Sequence, residues 1–153
     1  MRFTNFLKRG AILPDLAAGT REEAIAEMVA ALHAAGAIDD ASRADVTAAV
    51  LRREQLGSTG IGRGIAIPHS RHASATSLVG GLAVSRRPGG IPFDAIDGEP
   101  VFVLVLLVSP QDRPGEHLRA LDCVVQTFRD DATLARLRGC RTADEMWAML
   151  SGE

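Results

Sequence analysis

From Val101 to Val108 the chain runs VFVLVLLV, eight residues without a polar side chain. Such a run is too short to cross a bilayer. Side chains of a strand alternate between its two faces, so a strand that is apolar at every position has both faces covered. The run therefore predicts a central strand with helices on both sides of its sheet. A length of 153 residues suits a single domain, residues 1–153, and a chain of that size buries roughly 70% of its unfolded surface.

The remaining pattern supplies the covering helices. Thr20-Arg21-Glu22-Glu23 reads as a capping box in which Glu23 reaches back to the N–H of Thr20. The helix it opens runs to about Ala35, with Ala24, Ile25, Met28, Val29 and Leu32 inward and Gly36 as its stop. Asp39 or Asp40 caps a second helix, about Ala41–Gln55, burying Val46, Ala49, Val50 and Leu51. Pro114 suits the first turn of a third, about Gly115–Arg129, whose spacing turns Leu118, Leu121, Val125 and Phe128 inward. A short helix over Asp131–Leu137 follows. Thr142–Glu145 is a second capping box before a last helix to Leu150, on which Trp147 packs against the core. His33 reads as a partly exposed helix residue. Ala11–Leu13 is a short edge strand. Leu78–Val84 is another strand, in which Gly80 and Gly81 mark a bulge or a close approach.

Composition narrows the partners. The formal net charge is −2 with acids and bases mixed along the chain, so no basic stripe points to nucleic acid or an anionic membrane. The N-terminus, MRFTNFLKRG, has no apolar segment of signal-peptide length. Cys123 and Cys140 offer neither a metal-ligand spacing nor a disulfide framework, and a reducing cytoplasm is the simplest setting.

Chemistry concentrates in Gly57–His69, GSTGIGRGIAIPH. Gly57, Gly60, Gly62 and Gly64 permit positive φ and let backbone N–H groups approach a ligand. Ile65–Ile67 reads as a buried strand that Pro68 ends, with His69 just beyond it and Ser70–Ser77 a loop. Arg53 lies immediately upstream, either a solvated helix-end charge or an anion ligand over the loop. His117 falls in the first turn of the third helix, where free N–H groups and the helix dipole attract anions. Strand ends and the helix starts that follow them often share one edge of an α/β sheet. Convergence there gives an anion pocket with a nucleophilic imidazole. A neutral imidazole can attack phosphorus; Arg53 supplies a fork of donors, His117 another hydrogen bond, and Ser58, Thr59 and the Gly60 N–H hold the remaining oxygens. Gly60-Ile61-Gly62 precedes a strand rather than following one, and no lysine of a phosphate loop follows the glycines, so the pattern argues against a nicotinamide site. A metal site from His69, His72 and His117 lacks a carboxylate or thiolate at ligand spacing.

Arg53-Glu54, GSTGIGRGIAIPH, FDAIDGEPV (Phe93–Val101) and GEHLRAL (Gly115–Leu121) together resemble the enzyme IIA domain of the fructose/mannitol type of the bacterial phosphoenolpyruvate-dependent sugar phosphotransferase system, and its nitrogen-regulatory relatives. The resemblance covers the chain from about its first helix to Leu150. It implies an α/β fold of the α+β type, a three-layer α/β/α sandwich around a mixed β-sheet. It implies that His69 accepts a phosphoryl group from the phosphocarrier HPr or a paralogue, with Arg53 and His117 as the other active-site groups and no cofactor or bound metal. The phosphoryl group would pass to an enzyme IIB in sugar uptake. In the alternative reading it would act as a regulatory signal controlling binding to transporters, kinases or regulators. One departure is Ser70, where these proteins commonly have glycine.

Overall fold

A computed structural model describes residues 1–152. Its sheet is mixed and follows the order β1 (Leu7–Leu13), β5 (Val79–Val84), β6 (Val103–Pro110), β3 (Ile65–Ala66) and β2 (Gly60–Gly62), with β4 (His69–His72) also paired to β6. β1 lies parallel to β5, β5 antiparallel to β6, and both β3 and β4 parallel to β6. Among the described residues five α-helices cover it: α1 (Arg21–Ala34), α2 (Arg43–Gln55), α3 (Pro114–Thr127), α4 (Asp131–Gly139) and α5 (Ala143–Ser151).

The apolar run behaves as its alternation demands. Leu104, Leu106 and Val108 join the core built with Ile25, Met28, Val29 and Leu32 of α1 and Val46 and Val50 of α2. Val103, Val105 and Leu107 join the opposite core, with Ala120 and Val124 of α3, Leu134 and Leu137 of α4, and Met146 of α5. Every residue of β6 is buried. This is the three-layer α/β/α sandwich. The strand is displaced from the apolar run, because Val101 makes only an isolated bridge to Ile91 while Ser109 and Pro110 continue the ladder against β4. Gly80 and Gly81 mark close approach rather than a bulge against β6: a Cβ on Gly80 would lie 3.2 Å from the Phe6 ring, and one on Gly81 3.2 Å from the Ala11 carbonyl oxygen.

Four expectations about local structure change. β1 is longer than Ala11–Leu13, since its early residues pair with β5 across an irregular register. The two capping boxes are half formed. Thr20 and Thr142 accept from the backbone N–H of Glu23 and Glu145 as expected, but the Glu23 carboxylate takes the Thr20 hydroxyl and that of Glu145 takes the Arg141 N–H. Asp39 caps a short 3-10 turn, Asp40–Ser42, that leads into α2.

The fourth concerns α3, whose inward face is His117, Ala120 and Val124, with Phe128 buried at its end. Leu118 is 65% exposed and Val125 41% exposed, so the helix is rotated about one residue from the face its apolar spacing predicts. His33 is partly exposed and paired with Asp40 at 3.4 Å. Trp147 packs on the second core beneath the Arg9 guanidinium.

Candidate functional site

Pro68 interrupts the strand instead of ending it. Having no N–H, it breaks the ladder to β6, but its carbonyl still accepts from Leu107 N–H at 3.1 Å. Pairing then resumes, His69 opposite Leu107 through His72 opposite Pro110. His69 is thus the first residue of β4, not a loop residue, and the polar segment HSRH forms a strand because β6 offers it a ladder. His69 has the same parity as Ile65 and Ile67, which face the α3 layer. Ser109 continues the parity of Val103, Val105 and Leu107 toward the same layer. The first turn of α3 carries His117 onto this corner, where the two imidazole centroids lie 5.2 Å apart.

Together these groups wall an open cleft of about 670 Å³, lined by Arg53, His69, Ser70, Arg71, Gln111 and His117 and edged by Leu118 and Leu121. His69, His117 and Arg53, separated by many residues in sequence, meet here. Arg53 is steadied by donating to the Gly57 carbonyl at 2.8 Å, and among the described residues its other guanidinium N–H groups have no partner. His69 is half-buried and its Nδ1 lies 2.7 Å from the Ile67 carbonyl oxygen. A carbonyl can only accept, so Nδ1 carries the proton and the neutral ring keeps its lone pair on Nε2. Burial lowers the His69 pKa and the positive charge of Arg53 lowers it further, against the opposing effect of the Ile67 bond and the nearby Glu54. Burial, with the neighbouring His69 and Arg71, pushes His117 down to about 4. Both rings are therefore neutral near pH 7. His117 Nδ1 is 2.5 Å from the Ser109 hydroxyl.

Ser58, Thr59 and Gly60 do not line the cleft. Ser58 Oγ donates to the Phe93 carbonyl and accepts from Gly60 N–H. Thr59 gives both its hydroxyl and its N–H to the Glu54 carboxylate. Their donors are consumed in holding the loop behind the cleft. Two further residues escaped the sequence reading. Arg71 brings a second guanidinium to the cleft; it follows from the parity of β4 once that strand is recognised. Glu54, only 3% exposed, is the acceptor that organises the glycine loop, and a charged residue beside two helix-end arginines gave no signal of burial. Among the described residues no cluster of three His, Cys, Asp or Glu side chains could hold a metal ion.

The family model described as "Phosphoenolpyruvate-dependent sugar phosphotransferase system, EIIA 2" matches residues 5–153. The chain belongs to that family. Within the EIIA 2 family it is similar to a nitrogen regulatory protein of Bradyrhizobium diazoefficiens, 34% identical over 151 residues that cover 99% of this chain and 95% of the relative. It is also similar to the fructose-specific EIIABC component of Bacillus subtilis, 34% identical over 121 residues, 79% of this chain but 18% of that much longer protein. Among solved structures, the nitrogen regulatory protein IIA-Ntr of Neisseria meningitidis matches with a TM-score of 0.84 and 33% identity, over 95% of this chain and 97% of that one. No helix among the described residues is long and apolar enough to cross a membrane.

Proposed function

We propose that this EIIA 2 protein is a phosphoryl acceptor whose nucleophile is Nε2 of His69. The observation that carries this reading is the bond from Nδ1–H to the Ile67 carbonyl, which leaves Nε2 as the only basic nitrogen, in a cleft shared with His117 and Arg53. Nε2 attacks the phosphorus of a phosphohistidine donor in line; the donor N–P bond breaks as the Nε2–P bond forms. The His69 ring then bears substituents on both nitrogens and becomes cationic, while the proton stays on Nδ1 and is donated to the Ile67 carbonyl oxygen, whose dipole stabilises the new charge. Onward transfer reverses these changes and needs no proton to move. Arg53, with Arg71 beside it, offsets the charge on the equatorial oxygens.

The donor is an HPr-like phosphocarrier, and exposed Leu118 with Leu121 gives it an apolar edge to dock on. The next acceptor is an enzyme IIB in sugar uptake. A second reading, regulation of a transporter, kinase or regulator by the phosphorylation state of His69, is favoured by the nearly full-length likeness to nitrogen regulatory proteins. Both readings place the protein in the cytoplasm. Incubation with phosphorylated HPr should label the wild-type protein and leave His69→Ala unlabelled; undiminished labelling of His69→Ala rejects the proposal. Phosphoryl loss to an enzyme IIB, against phosphorylation-dependent capture of a non-transporter, separates the two readings.

A further inference from the structure

Ser109 is fully buried at the end of β6, and its hydroxyl has a single partner among the described residues, Nδ1 of His117 at 2.5 Å. Two arrangements fit that distance. If His117 carried its proton on Nδ1, the ring would donate to Oγ and the serine hydroxyl proton, fully buried, would be left without an acceptor among the described residues. A buried donor without a partner costs its full desolvation. If the hydroxyl donates to Nδ1, no polar group is orphaned, and the ring proton must sit on Nε2.

The second arrangement makes the two cleft imidazoles complementary. His69 is tied by a carbonyl and presents a lone pair at Nε2; His117 is tied by a hydroxyl and presents an N–H at Nε2. One nitrogen can attack phosphorus and the other can donate to a phosphoryl oxygen. We propose that Ser109 is a positioning residue that fixes His117 in the Nε2–H tautomer, so that His117 enters phosphoryl transfer as a hydrogen-bond donor. This rests on the phosphoryl-acceptor reading of the cleft, but the tautomer itself can be observed without any transfer.

The test is long-range ¹H–¹⁵N NMR on histidine-labelled protein near pH 7.5, paired with the rate of phosphoryl uptake from phosphorylated HPr. In the wild-type protein, His117 Nδ1 should show the shift of an unprotonated nitrogen and Nε2 that of an N–H. Ser109→Ala should give a mixture of tautomers and slow uptake by roughly tenfold, at unchanged His69 tautomer. Ser109→Thr, which keeps the hydroxyl, should restore both. An N–H on His117 Nδ1 in the wild-type protein overturns the assignment. So does either half alone: a tautomer change without loss of rate, or loss of rate with the tautomer unchanged. Should the wild-type protein take no phosphoryl group on His69, the phosphoryl-acceptor reading fails, and the NMR shifts still decide the role of Ser109.

Discussion

Burying His117 neutral in the first turn of α3 makes the fold sensitive to mild acid. In the unfolded chain an imidazole titrates near 6.5, whereas in the folded protein His117 is pushed down to about 4. Above 6.5 the ring is neutral in both states and costs nothing. As pH falls below 6.5 the unfolded chain takes up a proton that the folded protein refuses, so stability drops until the folded pKa is passed. At pH 5 this linkage amounts to about 2 kcal/mol, rising to about 3 kcal/mol at pH 4. His69, also lowered, adds to the same slope. His117→Asn removes the titration while keeping an oxygen near the position of Nδ1 for the Ser109 hydroxyl. Urea unfolding from pH 8 to pH 5 should show the wild-type protein losing about 2 kcal/mol more than the variant. Parallel curves would refute the placement of a buried neutral imidazole at this corner.

Other substitutions probe the frame and the cleft. Phe128→Ala, at a fully buried ring in edge contact with Phe3, should cost about 3–5 kcal/mol by thermal or urea unfolding. Gly90→Ala meets a positive φ of 65° and places a Cβ 2.8 Å from the Val101 carbonyl oxygen, whereas Gly98→Ala meets a φ of 73° and open space. The second should cost about 1 kcal/mol and the first clearly more, compared by the same unfolding assay. Arg53→Lys keeps the charge but loses the fork, so it should slow phosphoryl uptake by on the order of a hundredfold in a rapid-quench assay and not rescue Arg53→Ala.

The central strand and its two covering layers were legible because each rests on local chemistry: unbroken apolar character and capping residues. The face of α3 was not. Its sequence offers Leu118, Leu121 and Val125 as an inward stripe, yet the helix turns His117, Ala120 and Val124 to the sheet. Hydrophobic spacing counts an imidazole as polar and cannot know that a serine on β6 will satisfy it. Strand β4 was missed for a similar reason. The composition of HSRH says loop, and only the ladder offered by β6 makes it a strand. Glu54 and Thr59 satisfy one another behind the cleft, a pairing that a charged residue at a helix end does not announce. What failed in each case was the prediction of a polar group's partner, which tertiary structure supplies.

The measurement that bears most directly on the account is the site of the phosphoryl group, read by ³¹P and ¹⁵N NMR on the phosphorylated protein. A P–N bond to Nε2 of His69, with the Nδ1 proton retained, is the expected result. A phosphoryl group on Nδ1 of His69, or on His117 or His72, would contradict it.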